Sequence, residues 1–415
     1  MDRRRSDLRI SIQTGMSRSS EFPGSSSRIP DRRSGWRTRM KLRIERDALA
    51  RSLSIVGPSV PVRPPVPTLG GVLLEAGDES VRLSGFDYEF AAQSSIPTTA
   101  VAEPGSALVS GRLLTEIVKL LPPHSVDFSV DGTNLNLACG QSRFALPLMP
   151  VMDYPPLPTL PDTTGVVDRE AFSAAVAQVA VAAGRDDTLP FLTGISIEFH
   201  DKFIRLVATD RFRIAIRELD WTPIKPSTST EPSSVLVPSR TLAAATKTMT
   251  GSQIEIGSAP GQQVLGLQSR NQHSIMRLLD SPFAPYERYL THERTSTAVV
   301  DPAPFIEAIK RVSLLASRGS KILFSFSDDA VHLSAGSDGE GRGEETLACE
   351  FEGEPLTIAF SPRYLMDGLG AARATKVEIV MNGSIRAATL RSVDDSGDAD
   401  QASGRRLYVL MPMRL

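Results

Sequence analysis

The chain is 415 residues long, 41% hydrophobic and 23% charged, with no apolar run near the ~18 residues of a membrane-crossing helix. Its two cysteines, Cys139 and Cys349, lie in strand-like stretches without a CxxC partner, which argues against a disulfide framework or a zinc site and fits a reducing cytoplasm. The net charge of −2 conceals a basic head on an acidic body: residues 1–39 carry ten arginines against Asp2, Asp7, Glu21 and Asp31, leaving −8 for the remainder, a balance unsuited to coating nucleic acid indiscriminately but compatible with one basic face.

Residues 1–39 are rich in Arg, Ser, Gly and Pro and hold few large apolar side chains, so they cannot offset the entropy of ordering. They read as a disordered basic tail or as a start assigned too early, with order expected from Met40-Lys41-Leu42. They contain no signal-peptide core.

From there three segments open alike: LRIERDALARSLSIV (42–56), GVVDREAFSAAVAQVAVAAG (165–184) and AVVDPAPFIEAIKRVSLLAS (298–317). Each predicts a short strand and then a helix. Leu49, Leu53 and Val56 stand at i, i+4 and i+7, as do Phe172, Val176 and Val179, and again Phe305, Ile309 and Val312, which makes one apolar stripe per helix. Period-2 hairpins follow at 71–87, 194–210 and 321–337. A second strand and helix come next, at 107–121, 235–249 and 357–371, opened by S-x-R or P-R-type turns around Arg112, Arg240 and Arg363. Two more strands close each unit. The body is therefore three copies of an α+β unit of about 120 residues, itself two similar halves. The Pro-rich stretch 153–162 and the polar run 290–297 divide it into 40–161, 162–290 and 291–415. Residues 392–406 predict a mobile hairpin loop.

Enzymatic constellations are missing from the sequence. There is no GxxxxGK[ST] loop, HExxH or GxSxG motif, and the five histidines share no spacing. Asp87 and Asp210 recur after equivalent strands, and such carboxylates could serve metal-dependent phosphoryl chemistry; their recurrence with the repeat favours a turn role. No cofactor and no metal are expected.

The repeat, together with LVATDRFRIAI (206–216), FAPYERYL (283–290) and the terminal LMPMRL (410–415), resembles the bacterial β sliding clamps, the β subunits of replicative DNA polymerase III, over the whole of 40–415. RPPVPTLGGVLL (63–74), AGRDDTLPFLTGI (183–195) and EPLTIAFSPRYLMDGL (354–369) resemble the actinobacterial branch. The resemblance implies the DNA clamp fold: three clamp domains with inner helices and outer antiparallel sheets, two chains closing head to tail into a homodimeric ring around duplex DNA. It implies a non-catalytic, nucleoid-associated processivity factor with no membrane contact. Its partners would be non-specific duplex DNA, the polymerase catalytic subunit, the clamp loader and repair polymerases.

In that fold the polar helix faces look into the hole. Arg63, Arg112, Lys119, Arg185, Arg240, Lys247, Lys310, Arg311 and Arg318 are then the candidates for phosphate contact, without base readout or aromatic stacking. The family's hydrophobic cleft for short linear motifs maps onto Leu192, Thr209, Arg211, Phe212, Arg213 and Ile214, Arg288 and Tyr289, Ile385, Ala387, and Met411, Pro412, Met413, Arg414 and Leu415. Arg211-Phe212 departs from the Gly-His of many clamps, and Ala284-Pro285 from Pro-Asp or Pro-Lys, which leaves room for a divergent second clamp copy serving repair polymerases. A repeat-built interaction scaffold without DNA contact is the alternative from another class.

Overall fold

The computed structural model describes residues 39–98, 100–224, 233–259, 261, 263–290, 294–316, 321–337, 341–393 and 406–415. Domain 1 runs β1 (Lys41–Glu45), α1 (Arg46–Val56), β2 (Gly71–Ala76), β3 (Ser80–Phe86), β4 (Phe90–Pro97), β5 (Val101–Glu103), β6 (Gly105–Ser110), α2 (Gly111–Leu120), β7 (Ser125–Asp131), β8 (Asn134–Cys139) and β9 (Ser142–Pro147). Domain 2 follows with β10 (Thr163–Asp168), α3 (Arg169–Ala180), α4 (Pro190–Thr193), β11 (Gly194–Phe199), β12 (Phe203–Thr209), β13 (Arg213–Asp220), β14 (Thr222–Pro223), β15 (Ser233–Pro238), α5 (Ser239–Thr248), β16 (Gln253–Ala259), β17 (Val264–Ser269) and β18 (Gln272–Arg277). Domain 3 comprises β19 (Ser296–Val300), α6 (Pro302–Ser313), β20 (Ile322–Ser327), β21 (Ala330–Ser337), β22 (Gly341–Ala348), β23 (Glu350–Gly353), β24 (Leu356–Phe360), α7 (Pro362–Ala372), β25 (Lys376–Met381), β26 (Ala388–Val393) and β27 (Arg406–Leu410).

The three helix stripes expected from spacing are all buried: Leu49, Leu53 and Val56, then Phe172, Val176 and Val179, then Phe305, Ile309 and Val312. Each large stripe residue removed from water contributes roughly 1.5–3 kcal/mol, so the 3.6-residue phase selects the helix and fixes which side meets the sheet. Local polar groups set the helix starts. Asp168 accepts from the Ala171 amide at 2.8 Å, and Ser110 accepts from that of Leu113 at 3.4 Å. Cys139 and Cys349 are buried free thiols, and burial raises the Cys349 thiol to about 11. The basic tail and the 394–405 part of the predicted loop lie outside the described residues.

The sheets cross the domain boundaries. One nine-stranded sheet runs β14-β10-β16-β17-β18-β4-β3-β2-β6 and another runs β15-β11-β12-β13-β27-β26-β25-β19-β23. Strand β18 of domain 2 pairs with β4 of domain 1, and β27 of domain 3 pairs with β13 of domain 2. A five-stranded sheet, β5-β1-β7-β8-β9, and a four-stranded sheet, β22-β21-β20-β24, remain at the two ends. On one side of the sheets the helices touch in the unbroken order α2, α1, α5, α3, α7, α6.

Candidate functional site: a helix arc and a surface at the domain 2–3 junction

The helix arc carries exposed basic residues. Arg112, Arg240 and Arg363 occupy equivalent first-turn positions of α2, α5 and α7, and Lys119 and Lys247 stand one heptad further on; all are exposed. Arg63 and Arg185 lie exposed beyond α1 and α3, while Arg318 lies outside the described residues. Several of these cations already have acidic neighbours. Arg112 pairs with Glu116 at 3.1 Å, Arg240 approaches Asp187 at 4.0 Å and Lys310 pairs with Glu307 at 2.7 Å. Arg311 is different: it forks onto Glu345 of β22 at 3.0 and 2.5 Å, so its charge is directed at the sheet edge. Arg363 completes the set of three, and the repeat spacing alone points to it.

The second region lies where β13 meets β27. Val207 of β12, Ile214 and Ile216 of β13, Leu407 and Val409 of β27 and Ala387 just before β26 form one apolar cluster there. The segment joining domains 2 and 3 crosses it, burying Tyr286 and packing Phe283, Tyr289 and Leu290 against it, with Met411 alongside. Tyr286 donates to Glu198 at 2.8 Å, and Arg205, itself held by Glu218 at 2.6 Å, donates back to the phenol at 3.4 Å. Burial first, and then the Glu198 carboxylate, hold the Tyr286 phenol above its ordinary value, so it remains a donor at every physiological pH. This anchor sets the position of the exposed Arg288, which lies 4.8 Å from the centre of the Tyr289 ring.

The β12–β13 turn forms the adjoining wall. Asp210 accepts from the Phe212 and Arg213 amides at 3.1 and 3.2 Å, and Asp87 does the same at the equivalent turn of domain 1. Both carboxylates therefore close hairpins, the turn role their recurrence implied. Among the described residues no group of three or more His, Cys, Asp or Glu side chains could hold a metal ion.

Arg213 is only 3% exposed. It donates to Asp210 at 2.9 Å, to Asp367 of α7 at 2.6 Å and to the Tyr408 hydroxyl of β27 at 3.2 Å, and its guanidinium carbon lies 4.2 Å from the Tyr364 ring centre. Burial alone would weaken its charge; Tyr408, Asp367 and Asp210 together outweigh that and hold it above the ordinary arginine value. Gly368 makes the arrangement fit, because a Cβ there would stand 2.5 Å from the Tyr408 ring.

The structure thus brings Ile214, Ala387, Tyr289 and Met411 into one cluster and places Thr209, exposed Arg211 and Phe212 at its edge. Leu192 is buried in α4, which lies against β12, while Ile385 projects into solvent. Beyond Met411 the chain runs beside β24. The Met413 amide donates to the Ala359 carbonyl at 2.8 Å and Lys321 donates to that of Arg414 at 2.6 Å, which leaves Arg414 and Leu415 exposed. Tyr286, Tyr364 and Asp367 are parts of the site that sequence reading missed. The nearest signal was their place inside matched segments, FAPYERYL and EPLTIAFSPRYLMDGL.

Three tandem domains, one arc of helices backed by shared sheets, and an apolar patch at a domain junction define a DNA clamp protomer. The chain belongs to the DNA polymerase III beta subunit family: it matches the N-terminal domain over residues 40–158, the central domain over 166–285 and the C-terminal domain over 287–414. It is 41% identical to the beta sliding clamp of Streptomyces coelicolor over 382 residues, covering 91% of this chain and 100% of that protein. It is 38% identical to the beta sliding clamp homolog GriR of Streptomyces muensis, with coverage of 90% and 99%. The clamps of Bacillus subtilis and Pseudomonas aeruginosa are 26% and 27% identical, so the expected actinobacterial affinity holds. Among solved structures, the Pseudomonas aeruginosa sliding clamp bound to griselimycin superimposes with a TM-score of 0.82 at 27% identity, covering 91% of this chain and all of that one. As a member of this family the chain is a DNA sliding clamp, a non-catalytic processivity factor. Among the described residues no helix is long and apolar enough to cross a membrane.

Proposed function

We propose that two copies close head to tail into a ring that holds duplex DNA against the helix arc and recruits the polymerase, the clamp loader and repair proteins through the domain 2–3 patch. One observation carries the ring. Each nine-stranded sheet is a four-stranded half of one domain joined to a five-stranded half of the next, and the chain ends hold one four-stranded and one five-stranded sheet. Of their edge strands, β22 and β9 are the counterparts of the joined strands β4 and β18, or β13 and β27. Such edges invite pairing, and mutual closure removes both.

The internal junctions share one register, which supports a specific third. Gln93 faces His273 and Ile216 faces Leu407; one step along, Ala92 faces Ser274 and Ala215 faces Tyr408. Aligned by their hairpins, the free edges then set Glu344 opposite the partner's Arg143 and Gly343 opposite the partner's Phe144. The charges are complementary, and the half-exposed Phe144 ring covers a strand that has no Cβ at that point. Helices α1 and α5 meet at one junction and α3 and α7 at the other, so α6 would meet α2. Large apolar side chains are exposed there on both: Leu314 and Leu315 just beyond α6, Leu113 and Leu120 on α2.

Encirclement lets individual phosphate contacts stay weak, so that Arg112, Lys119, Arg240 and Lys247 hold DNA without stopping it from sliding. The test is mass in solution together with loading. A dimer that a clamp loader places on nicked circular DNA is expected; a monomer that cannot be loaded overturns the reading. The alternative of an additional clamp copy is favoured by one feature, Arg211-Phe212 at the turn where many clamps carry Gly-His. Replacement of the cell's replicative clamp by this chain would reject that alternative.

A further inference from the structure

One cation of the helix arc in each domain is already held by a carboxylate. In domain 1, Arg112 at the start of α2 meets Glu116 one turn on at 3.1 Å. In domain 3, Lys310 of α6 meets Glu307 one turn back at 2.7 Å. In domain 2, Arg240 at the start of α5 lies 4.0 Å from Asp187, which comes from the loop between α3 and α4. All six side chains are exposed. Sequence repetition does not account for the pattern. The α5 position equivalent to Glu116 is Ala244, and the carboxylate there is supplied by another element. The α7 equivalent is Asp367, which is spent on Arg213 while Arg363 of that helix stands exposed.

We propose that Glu116, Asp187 and Glu307 are competitor carboxylates that weaken the grip of the arc on duplex DNA and so speed sliding. The inference rests on the DNA reading above and adds to it what sets the strength of the contacts. Each cation exchanges its carboxylate for a phosphate when DNA arrives, and takes the carboxylate back when the phosphate moves on. Exposed ion pairs of this kind contribute little and open readily, so the exchange is easy. An unaccompanied cation gains the whole attraction at a phosphate and loses it between phosphates, which makes the path along DNA rough. A cation that always has an anionic partner evens out the two positions. The acidic body, −8 outside residues 1–39, fits a ring that encloses DNA without holding it tightly. Arg311 takes no part in the exchange, because its fork onto Glu345 directs it at the sheet edge.

The experiment uses the full chain and a short labelled duplex at about 0.1 M salt, where the Debye length is about 10 Å and distant charges are screened. Fluorescence anisotropy reads the affinity. Arg112→Gln is expected to weaken binding. Glu116→Gln is expected to tighten it roughly 1.5- to fivefold, the size of one exposed ion pair, and the triple variant Glu116→Gln, Asp187→Asn, Glu307→Gln roughly tenfold. In the Arg112→Gln background, Glu116→Gln should change affinity by less than about 1.5-fold, because the cation it competes for is gone. A carboxylate that merely repels DNA would give the same gain in both backgrounds, and that result overturns the competition. On loaded rings tracked singly along DNA the triple variant should diffuse more slowly; an unchanged or faster diffusion coefficient overturns the link to sliding. Weaker binding in Arg112→Gln without tightening in Glu116→Gln overturns the competitors and spares the DNA reading. Arg112→Gln binding as the natural chain does overturns the phosphate role of Arg112 and the competition with it.

Discussion

Reversing one charge at the proposed ring closure tests the register that the internal junctions dictate. In Glu344→Arg, the β22 side chain facing Arg143 of the partner changes from attraction to repulsion. Opposite charges directly across an antiparallel pair contribute about 0.2–1 kcal/mol, and like charges cost about as much, so the change is about 1 kcal/mol per junction. Glu344 also pairs with Arg342, and at 3.7 Å approaches His332; Arg143 spends one guanidinium nitrogen on the carbonyls of Gly140 and Ser142. These local partners keep the estimate at the low end. A head-to-tail ring contains the junction twice, so dimerisation should weaken by about 2 kcal/mol, or about 30-fold. Sedimentation velocity across a dilution series reads this directly. Arg143→Glu should weaken the dimer equally, and the double variant should recover most of the loss. A double variant no better than either single one would refute the register even if the protein is dimeric.

The remaining predictions concern DNA, the buried Arg213 network and acid stability. Neutralising Arg112, Arg240 and Arg363 together should lower the slope of log affinity for duplex DNA against log salt by about three charges' worth, equally for unrelated sequences; a sequence-dependent loss would contradict a purely phosphate-directed role. Arg213→Met removes one partner of a buried ion-pair network and should destabilise the chain by about 3–5 kcal/mol in urea unfolding, whereas the exposed Arg240→Met should stay within about 0.5 kcal/mol. His273 lies on the domain 1–2 junction, where burial, and then Arg82, lower its imidazole to about 4. A depressed histidine favours the neutral folded form, so its contribution is present above about pH 6.5 and lost as pH falls towards 4. The loss is at most about 3 kcal/mol. His273→Gln should therefore flatten the acid limb of the stability profile relative to the natural chain, and identical limbs would exclude the assignment.

What the sequence disclosed and what it hid divide along physical lines. Helix stripes and hairpins are local patterns of period 3.6 and 2, and each named stripe residue is buried as its phase requires. The turn role of Asp87 and Asp210 was legible because the repeat itself controls for chance. The joins between domains were not legible, because β4 and β18 alternate like ordinary strands and nothing local names a partner some 180 residues away. The Arg213 network was hidden for the same reason: Arg213 reads as one residue of a matched segment, while its partner Asp367 lies 154 residues on. Composition along a strand says that it is an edge to be covered, and only the assembled sheets say what covers it.

The three junctions differ in a way that follows from their positions. At the first, β4 offers FAAQSSIP to β18, and at the second β13 offers RIAIRELD to β27; in both, most of the strand is buried and a covalent segment crosses the join, bringing Tyr154 or Tyr286 onto it. The free edge β22 reads GRGEETLA, with two glycines and paired charges where its counterparts are apolar. The proposed closure joins two separate chains, and the residues after β27 run beside β24 of their own domain, where the Met413 amide donates to the Ala359 carbonyl. A ring threaded onto DNA without free ends must open somewhere, and the cheapest place is the junction with the least apolar burial and no linker. In the proposed closure the acidic residues of β22 and the arginine of β9 would make that junction specific and salt-sensitive, while Arg213 of β13, bonded to Asp367 of α7 and Tyr408 of β27, holds the domain 2–3 join inside one chain. The polarity of one edge strand thus separates the join that must yield from the join that must hold.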